Sequence, residues 1–309
     1  LLNSASDLNL TALFSTNLPN QGLVLSMNPI FAITNLGKQP PEYGYAYITN
    51  SVLPGSITQC RVNPFTGLLT SCSATPNVQI SDARQIALTG DYAYITSAGR
   101  LNKCNITTNV INNCSPLSNS PYNVYGIALN NNFVYFTGGE VGQNTPFNQI
   151  YYGSITDSGE LSPLGSTYQF NSGFTGYGMA INGSYSYTLY SKVLTVSHNS
   201  VDYEYGVTSC VINQDGSLGQ CVDIPLINGN DENIANQPTS IAFYNNHVYI
   251  TNSASQPDSY GGDIVICAVD NNTGALSECT TQSIENNSSY GISALNDFAF
   301  ITGDDGSSN

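Results

Sequence analysis

Six times along the chain a five-residue segment returns in nearly the same form. The six are Tyr45–Thr49 (YAYIT), Tyr92–Thr96 (YAYIT), Phe133–Thr137 (FVYFT), Tyr185–Leu189 (YSYTL), His247–Thr251 (HVYIT) and Phe298–Thr302 (FAFIT). A shorter apolar run precedes five of them: Ile86–Leu88, Ile127–Leu129, Met179–Ile181, Ile241–Phe243 and Ile292–Ala294. Phe31–Ile33 is a looser version before the first. Short runs of Val, Ile, Tyr and Thr bounded by Asn, Asp and Gly signal strands and hairpins, and no window carries a helical period. The unit Gln237–Cys279 reads as four successive strands: Ser240–Phe243, Val248–Thr251, Asp263–Val269 and Gly274–Cys279. The repeat interval of roughly 40 to 60 residues is that of one four-stranded propeller blade.

This pattern predicts an all-β chain, a six-bladed β-propeller with four-stranded antiparallel blades. The last unit supplies two strands before the chain stops, and Leu1–Thr16 supplies two extended segments. Joined, residues 1–16 and 285–309 make a composite blade that closes the ring and leaves only short edges. The stretch Asn17–Asn28 is too short for a seventh blade. No linker or composition shift divides the chain, so residues 1–309 are expected to be one domain. Tyr and Phe alternate with Ala, Val and Ile where a one-sided sheet would carry polar residues, which fits strands buried on both faces.

Charge excludes several partners. The net charge is −15, and the cations are only Lys38, Lys103, Lys192, Arg61, Arg84 and Arg100. Nucleic acid and anionic membrane surfaces both require clustered Lys and Arg. No apolar run reaches the length of a membrane span, and no signal peptide begins the sequence, although a removed leader is compatible with a start at Leu1.

The eight cysteines fall into four local pairs: Cys60 with Cys72, Cys104 with Cys114, Cys210 with Cys221, and Cys267 with Cys279. Each pair straddles the hairpin between strands three and four of a blade. In three of them a Gly (Gly67, Gly216, Gly274) lies five residues before the second Cys, as in a short bulged loop. The third unit has Gly153 and Leu164 at these positions, so both cysteines are absent together, as expected of a bond. Zinc sites usually use C-x-x-C spacing or mix Cys with His, and a two-Cys hairpin offers half a site. Disulfides place the protein in an oxidising setting: secreted, cell-surface or periplasmic.

Tyr47-Ile-Thr-Asn50 and Tyr249-Ile-Thr-Asn252 resemble the YVTN-type β-propeller repeats of bacterial surface and secreted proteins. The C-x-V-x-x-x-x-G-x-L pattern at Cys60–Leu69 and Cys267–Leu276 is similar to the Cys-bearing branch of that group. Lactonase-like propellers are relatives of this repeat. That resemblance implies either a surface module or a lactone hydrolase with His, Arg and Glu at the axial mouth.

The residues themselves favour binding. The two histidines are His247, which fills a slot held elsewhere by Tyr or Phe, and His198, in a long insertion. Neither a G-x-S-x-G elbow nor an HExxH motif occurs. No cofactor is implied except calcium. Oxygen ligands for it lie at Asp304-Asp305-Gly306, Asn213–Gly216 and Asp270–Gly274, which also read as ordinary turns. Asn-x-Ser/Thr sequons at Asn9, Asn105, Asn182, Asn271, Asn286 and Asn287 permit glycosylation. Just before the innermost strands a repeated position holds Arg84, Tyr125, Tyr177, Thr239 and Tyr290. In a propeller it faces the rim of the axial channel, and two readings stand: the tyrosines pack against the neighbouring blade, or they stack on and hydrogen-bond a glycan or peptide. The expected function is therefore a non-enzymatic binding, adhesion or structural module, with a lactonase-like hydrolase as the alternative. Terminal strands that complete a neighbour's blade would make it self-assemble by strand addition. Mass spectrometry of non-reduced peptides should link the four pairs above, and a bridge between different units would overturn the repeat alignment.

Overall fold

The structure is a computed structural model. It describes residues 9–13, 30–34, 44–50, 56–63, 65–75, 78, 80–97, 100–117, 120, 123–139, 148–162, 165–196, 201–227, 233–235, 237–253, 262–284, 288–295 and 298–304. Among the described residues all regular structure is β. Strand β1 (Asn9–Leu13) comes first. The first blade is β2 (Ile30–Thr34), β3 (Gly44–Asn50), β4 (Ser56–Val62) and β5 (Leu69–Ala74). The second is β6 (Ala83–Thr89), β7 (Tyr92–Ser97), β8 (Leu101–Thr107) and β9 (Val110–Pro116). The third is β10 (Val124–Asn130), β11 (Phe133–Gly138), β12 (Gln149–Ser154) and β13 (Gly165–Gln169). The fourth is β14 (Phe174–Asn182), β15 (Tyr185–Val196), β16 (Val201–Ile212) and β17 (Leu218–Pro225). The fifth is β18 (Pro238–Tyr244), β19 (His247–Asn252), β20 (Asp263–Val269) and β21 (Leu276–Ser283). The chain ends in β22 (Ser288–Leu295) and β23 (Phe298–Asp304). The fold is an antiparallel β-propeller: the first strands β2, β6, β10, β14, β18 and β22 touch in turn, and β22 also lies against β2.

Five four-stranded blades stand where the sequence predicts six. The remaining sheet has three strands in the order β1-β23-β22, and β1 pairs with β23 in parallel, Asn9 opposite Phe298 and Leu13 opposite Thr302. Within residues 1–16 one strand is described, so a composite four-stranded antiparallel blade is not formed by the described residues. The reason is directional. The chain enters this sheet along β23 instead of turning back beside it, as a hairpin would. Asn17–Asn28 lies outside the described residues.

Hydrophobic clusters sit between neighbouring sheets, not inside one. Tyr47 and Ile57 of the first blade pack on Ile86, Ala93 and Ile95 of the second. Phe300 of the terminal sheet packs on Ala46, Ile48 and Cys60 of the first blade. The repeated five-residue segment explains this. Its third residue is fully buried in the first four blades (Tyr47, Tyr94, Tyr135, Tyr187). Three of these phenols reach across the seam to a backbone carbonyl in the next blade's outer hairpin. Tyr47 donates to Asn109 O at 2.5 Å, Tyr94 to Gly159 O at 2.8 Å and Tyr135 to Gly216 O at 2.6 Å. At the fourth seam Ser209 Oγ, beside the Tyr187 phenol, donates to Gly274 O.

The segment's first residue lies on the same turn. Gly67, Gly159, Gly216 and Gly274 have φ of +67°, +73°, +83° and +69°. A Cβ on them would stand 2.4–2.8 Å from the rings of Phe298, Tyr92, Phe133 and Tyr185, respectively. Left-handed backbone and a flat aromatic neighbour both demand glycine here. Gly159, in the cysteine-free third blade, belongs to this set although it has no Cys after it.

The four disulfides join the expected pairs, with Cα atoms 4.0–4.1 Å apart. The first cysteine of each pair is fully buried. In three pairs the residue before the second cysteine (Ser71, Asn113, Glu278) has positive φ, the mark of a bulge in the outer strand. Leu164, one of the two positions compared in the third unit, lies outside the described residues.

Gly216→Val should cost about 2–4 kcal/mol, combining left-handed strain with a ring clash. Gly90→Ala, in a turn with open space around it, should be near neutral. Urea denaturation of both variants checks this.

Candidate functional site

All five residues singled out at the rim share one backbone feature. The pairing of five of the six inner strands with their neighbours breaks register, between Ala83 and Ile86, Val124 and Ile127, Gly176 and Met179, Pro238 and Ser240, and Ser289 and Gly291. Arg84, Tyr125, Tyr177, Thr239 and Tyr290 lie inside those breaks. A bulge leaves its extra residue out of the ladder and re-aims the side chain, which is why bulges gather beside functional sites.

The bulges are held from the neighbouring blade. The Thr that ends the repeated segment donates to the carbonyl of the next blade's rim residue: Thr49 to Arg84 O (2.7 Å), Thr96 to Tyr125 O (2.5 Å) and Thr137 to Tyr177 O (3.0 Å). Gly126, in the Tyr-Gly-Ile context, is required by close approach: a Cβ there would sit 2.2 Å from Tyr177 O. The space that glycine leaves is used by a neighbouring blade. In the second blade Gln85 stands in place of this glycine and is buried, and its Oε1 accepts the Ile127 backbone N–H at 2.9 Å. The Gln85 amide thus crosses from the second blade to the third.

Tyr125, Tyr177, Thr239 and Tyr290 line one cavity of about 370 Å³. Its other wall comes from the fourth blade: Tyr203 and Tyr205 on β16, and Ser191 on β15. Gln237 and Ser253 complete a neutral polar edge. Tyr125 and Tyr177 meet edge to face, with centroids 5.6 Å apart and planes at 86°. The Tyr177 and Ser191 hydroxyls are 3.1 Å apart. Arg84 is placed beside this cavity and not in its wall. Its guanidinium carbon is 5.1 Å from the Tyr125 ring centroid, while Nε and Nη2 both donate to Asp82 Oδ2 at 3.1 and 2.9 Å.

Among the described residues the lining therefore holds five phenols and no acidic or basic side chain. It can stack on a flat or CH-rich face and exchange hydrogen bonds with hydroxyls. Burial pushes the Tyr125 phenol up to about 12. Arg84 opposes that shift, and the Tyr177, Asp82 and Tyr290 groups add to it. Burial also raises the Tyr205 phenol, with Tyr177 and Tyr203 contributing and a hydrogen bond with the Gln237 backbone opposing.

Sequence reading missed Tyr203 and Tyr205, because they lie beyond the repeat in a strand extended by the fourth unit's insertion. The alternation Tyr203-Glu204-Tyr205 was the available signal. His247 begins β19 and is half-buried in the slot that aromatics fill elsewhere. His198 lies outside the described residues. Two of the acidic turns are seen: Asp215 accepts from Ser217, and Asp270 from Asn272 and Thr273, which holds both carboxyls below the usual range. Of the third, Asp305 and Gly306 lie outside the described residues. Among the described residues no group of three or more His, Cys, Asp or Glu side chains gathers as a metal site would require.

No protein-family model matches the sequence. No curated protein matches it either. Solved structures do share the fold. An α-L-arabinofuranosidase from Fusarium graminearum, solved with an iminosugar inhibitor, is 9% identical over 88% of this chain and 89% of that one, with a TM-score of 0.56. The PQQ domain of pyranose dehydrogenase from Coprinopsis cinerea is 12% identical over 91% of each chain, with a TM-score of 0.52. A 6-phosphogluconolactonase-like protein from Bacteroides uniformis is 13% identical over 81% of this chain and 71% of that one, with a TM-score of 0.50. At these identities the likeness is one of fold.

The raised phenols carry a pH signature. A phenol whose folded pKa exceeds its unfolded value of about 10 holds its proton more tightly in the folded state. Its stabilisation is complete below about pH 10 and is lost as pH rises towards 12. Unfolding free energy measured across this range should fall, and Tyr125→Phe should lessen the fall.

Proposed function

We propose that this chain is an extracytoplasmic β-propeller that binds a neutral carbohydrate at the channel mouth without transforming it. The cavity of about 370 Å³ walled by five tyrosines and neutral hydroxyl and amide groups carries this reading. Its volume is at the lower end of small-molecule cavities, roughly 300–1,000 Å³. Aromatic rings offer a hydrophobic face to the CH side of a sugar, while phenols and the Ser191, Thr239 and Gln237 groups meet its hydroxyls. General acid–base hydrolysis needs a titrating carboxyl, imidazole or amine within hydrogen-bond reach of the scissile bond, and the described residues of the lining include none. The four disulfides support an oxidising setting: cell surface, periplasm or exterior.

A lactone or glycoside hydrolase at the same mouth is the second reading. It is favoured by similar folds in an arabinofuranosidase and a 6-phosphogluconolactonase-like protein, and by the Arg84–Asp82 pair at the cavity's edge.

We also take the three-stranded terminal sheet as the sixth sector, closing the ring within one domain and one chain. The Phe298 ring against Gly67 and Phe300 among Ala46, Ile48 and Cys60 support closure in cis. Strand β1 is the edge of that sheet, so addition of a second copy's strand would occur there.

Tyr177→Ala and Tyr290→Ala should each weaken saccharide binding about tenfold or more, with a small change in melting temperature, because both rings are half-buried. A glycan array followed by calorimetry, run beside melting curves, checks this. A large loss of stability without loss of binding would reassign these tyrosines to packing. Saturable hydrolysis of gluconolactone or an aryl arabinofuranoside would favour the second reading.

A further inference from the structure

We propose that the carbohydrate is an oligosaccharide, and that the long hairpin β15–β16 supplies a second subsite with Tyr203 as its platform. This rests on the carbohydrate reading above and extends it from the cavity to the surface beside it.

The starting observation is length. Strands β15 and β16 are 12 residues each, whereas the other strands have five to nine. The extra residues carry the hairpin beyond its blade, and the cross-strand register tells which side chains share a face. Ser191 stands opposite Tyr205, and Val193 opposite Tyr203. Opposed residues in an antiparallel pair point to the same side. The face that closes the cavity with Ser191 and Tyr205 therefore continues outward to Val193 and Tyr203, which are 38% and 39% exposed.

This outer part is held in place. Leu226 N donates to Tyr205 O, and Asn233 Nδ2 to Tyr203 O, both at 2.9 Å. The Tyr203 and Tyr205 rings are nearly parallel, with planes at 23° and centroids 6.0 Å apart. Both rings border the cavity, with Tyr203 the more exposed of the two. Tyr205 is partly buried against the core, whereas Tyr203 is 39% exposed and gives little to it, yet offers stacking area at low entropic cost.

The neutral lining selects the ligand class. Among the described residues the lining offers a peptide no charged side chain, and the neighbouring Arg84 is paired with Asp82. Successive sugar rings use what is present, namely ring faces in series and hydroxyl partners at one end.

The test is calorimetry of the full chain with three sets of probes: glucose and cellotriose, N-acetylglucosamine and chitotriose, and arabinose and arabinotriose. The wild type should bind at least one trisaccharide about tenfold or more tighter than its monosaccharide. Tyr203 also borders the cavity, so Tyr203→Ala should weaken both ligands, but the trisaccharide about tenfold more than the monosaccharide, the contribution of one ring platform. Tyr203→Phe should restore it, and Tyr290→Ala should weaken both ligands. Equal mono- and trisaccharide affinities, or a Tyr203→Ala effect that is absent or equal on both, overturn the subsite while leaving the carbohydrate reading intact. Binding of no saccharide, or of a neutral peptide in their place, overturns both. An unchanged melting temperature shows that Tyr203→Ala has not acted through folding.

Discussion

The hydroxyl that crosses a seam to the next blade's outer hairpin, a phenol at the first three seams and Ser209 at the fourth, is the contact on which the fold depends. A buried tyrosine without a hydrogen-bond partner costs stability, and a hairpin carbonyl turned into a neighbour's core costs it too. Here one satisfies the other. Tyr94 reaches Gly159 and Tyr135 reaches Gly216, with the left-handed turn presenting the carbonyl. The first three blades cannot complete their cores alone, since the partner of each central phenol belongs to the next blade. Each such bond is worth about 0.5–1.5 kcal/mol net, and the ring contact on glycine makes the fit intolerant of any side chain.

The same borrowing across seams builds the site. Rim residues sit on bulges, whose free carbonyls need partners, and the Thr of the preceding blade provides them. The motif that packs the body thereby also fixes the rim. Symmetry is then broken by one unusual element, the extended β15–β16 hairpin, which turns one side of a tyrosine-bearing rim into a walled cavity. Binding residues thus come from a rigid repeat and from an insertion that the repeat does not predict.

The outer hairpins carry a different kind of support. Each disulfide closes a loop of 10 to 12 residues, a constraint worth about 2–3 kcal/mol in the chain-entropy account. These bridges lie in strands three and four, where half the side chains face solvent and the core contributes least. The third blade, without a bridge, instead has stacked aromatic pairs, Tyr135 with Tyr152 and Phe136 with Tyr151.

By itself the sequence determined the β-architecture, the blade repeat and the disulfide pairing. These follow from local periodicity and from spacing within a hairpin, and such information survives in one dimension. It also showed that Gly67, Gly216 and Gly274 close turns, but not that each lies beneath a ring from the preceding sheet. Only the tertiary structure decided three things. Strand β1 runs parallel to β23, because direction of entry is set by where the ends of a ring meet. Gln85 spans a seam where three other units have glycine (Gly126, Gly178, Gly291), because contacts between blades have no fixed sequence separation. Tyr203 and Tyr205 join the rim tyrosines while Arg84 stays outside, because the reach and lean of an inserted hairpin depend on what it packs against.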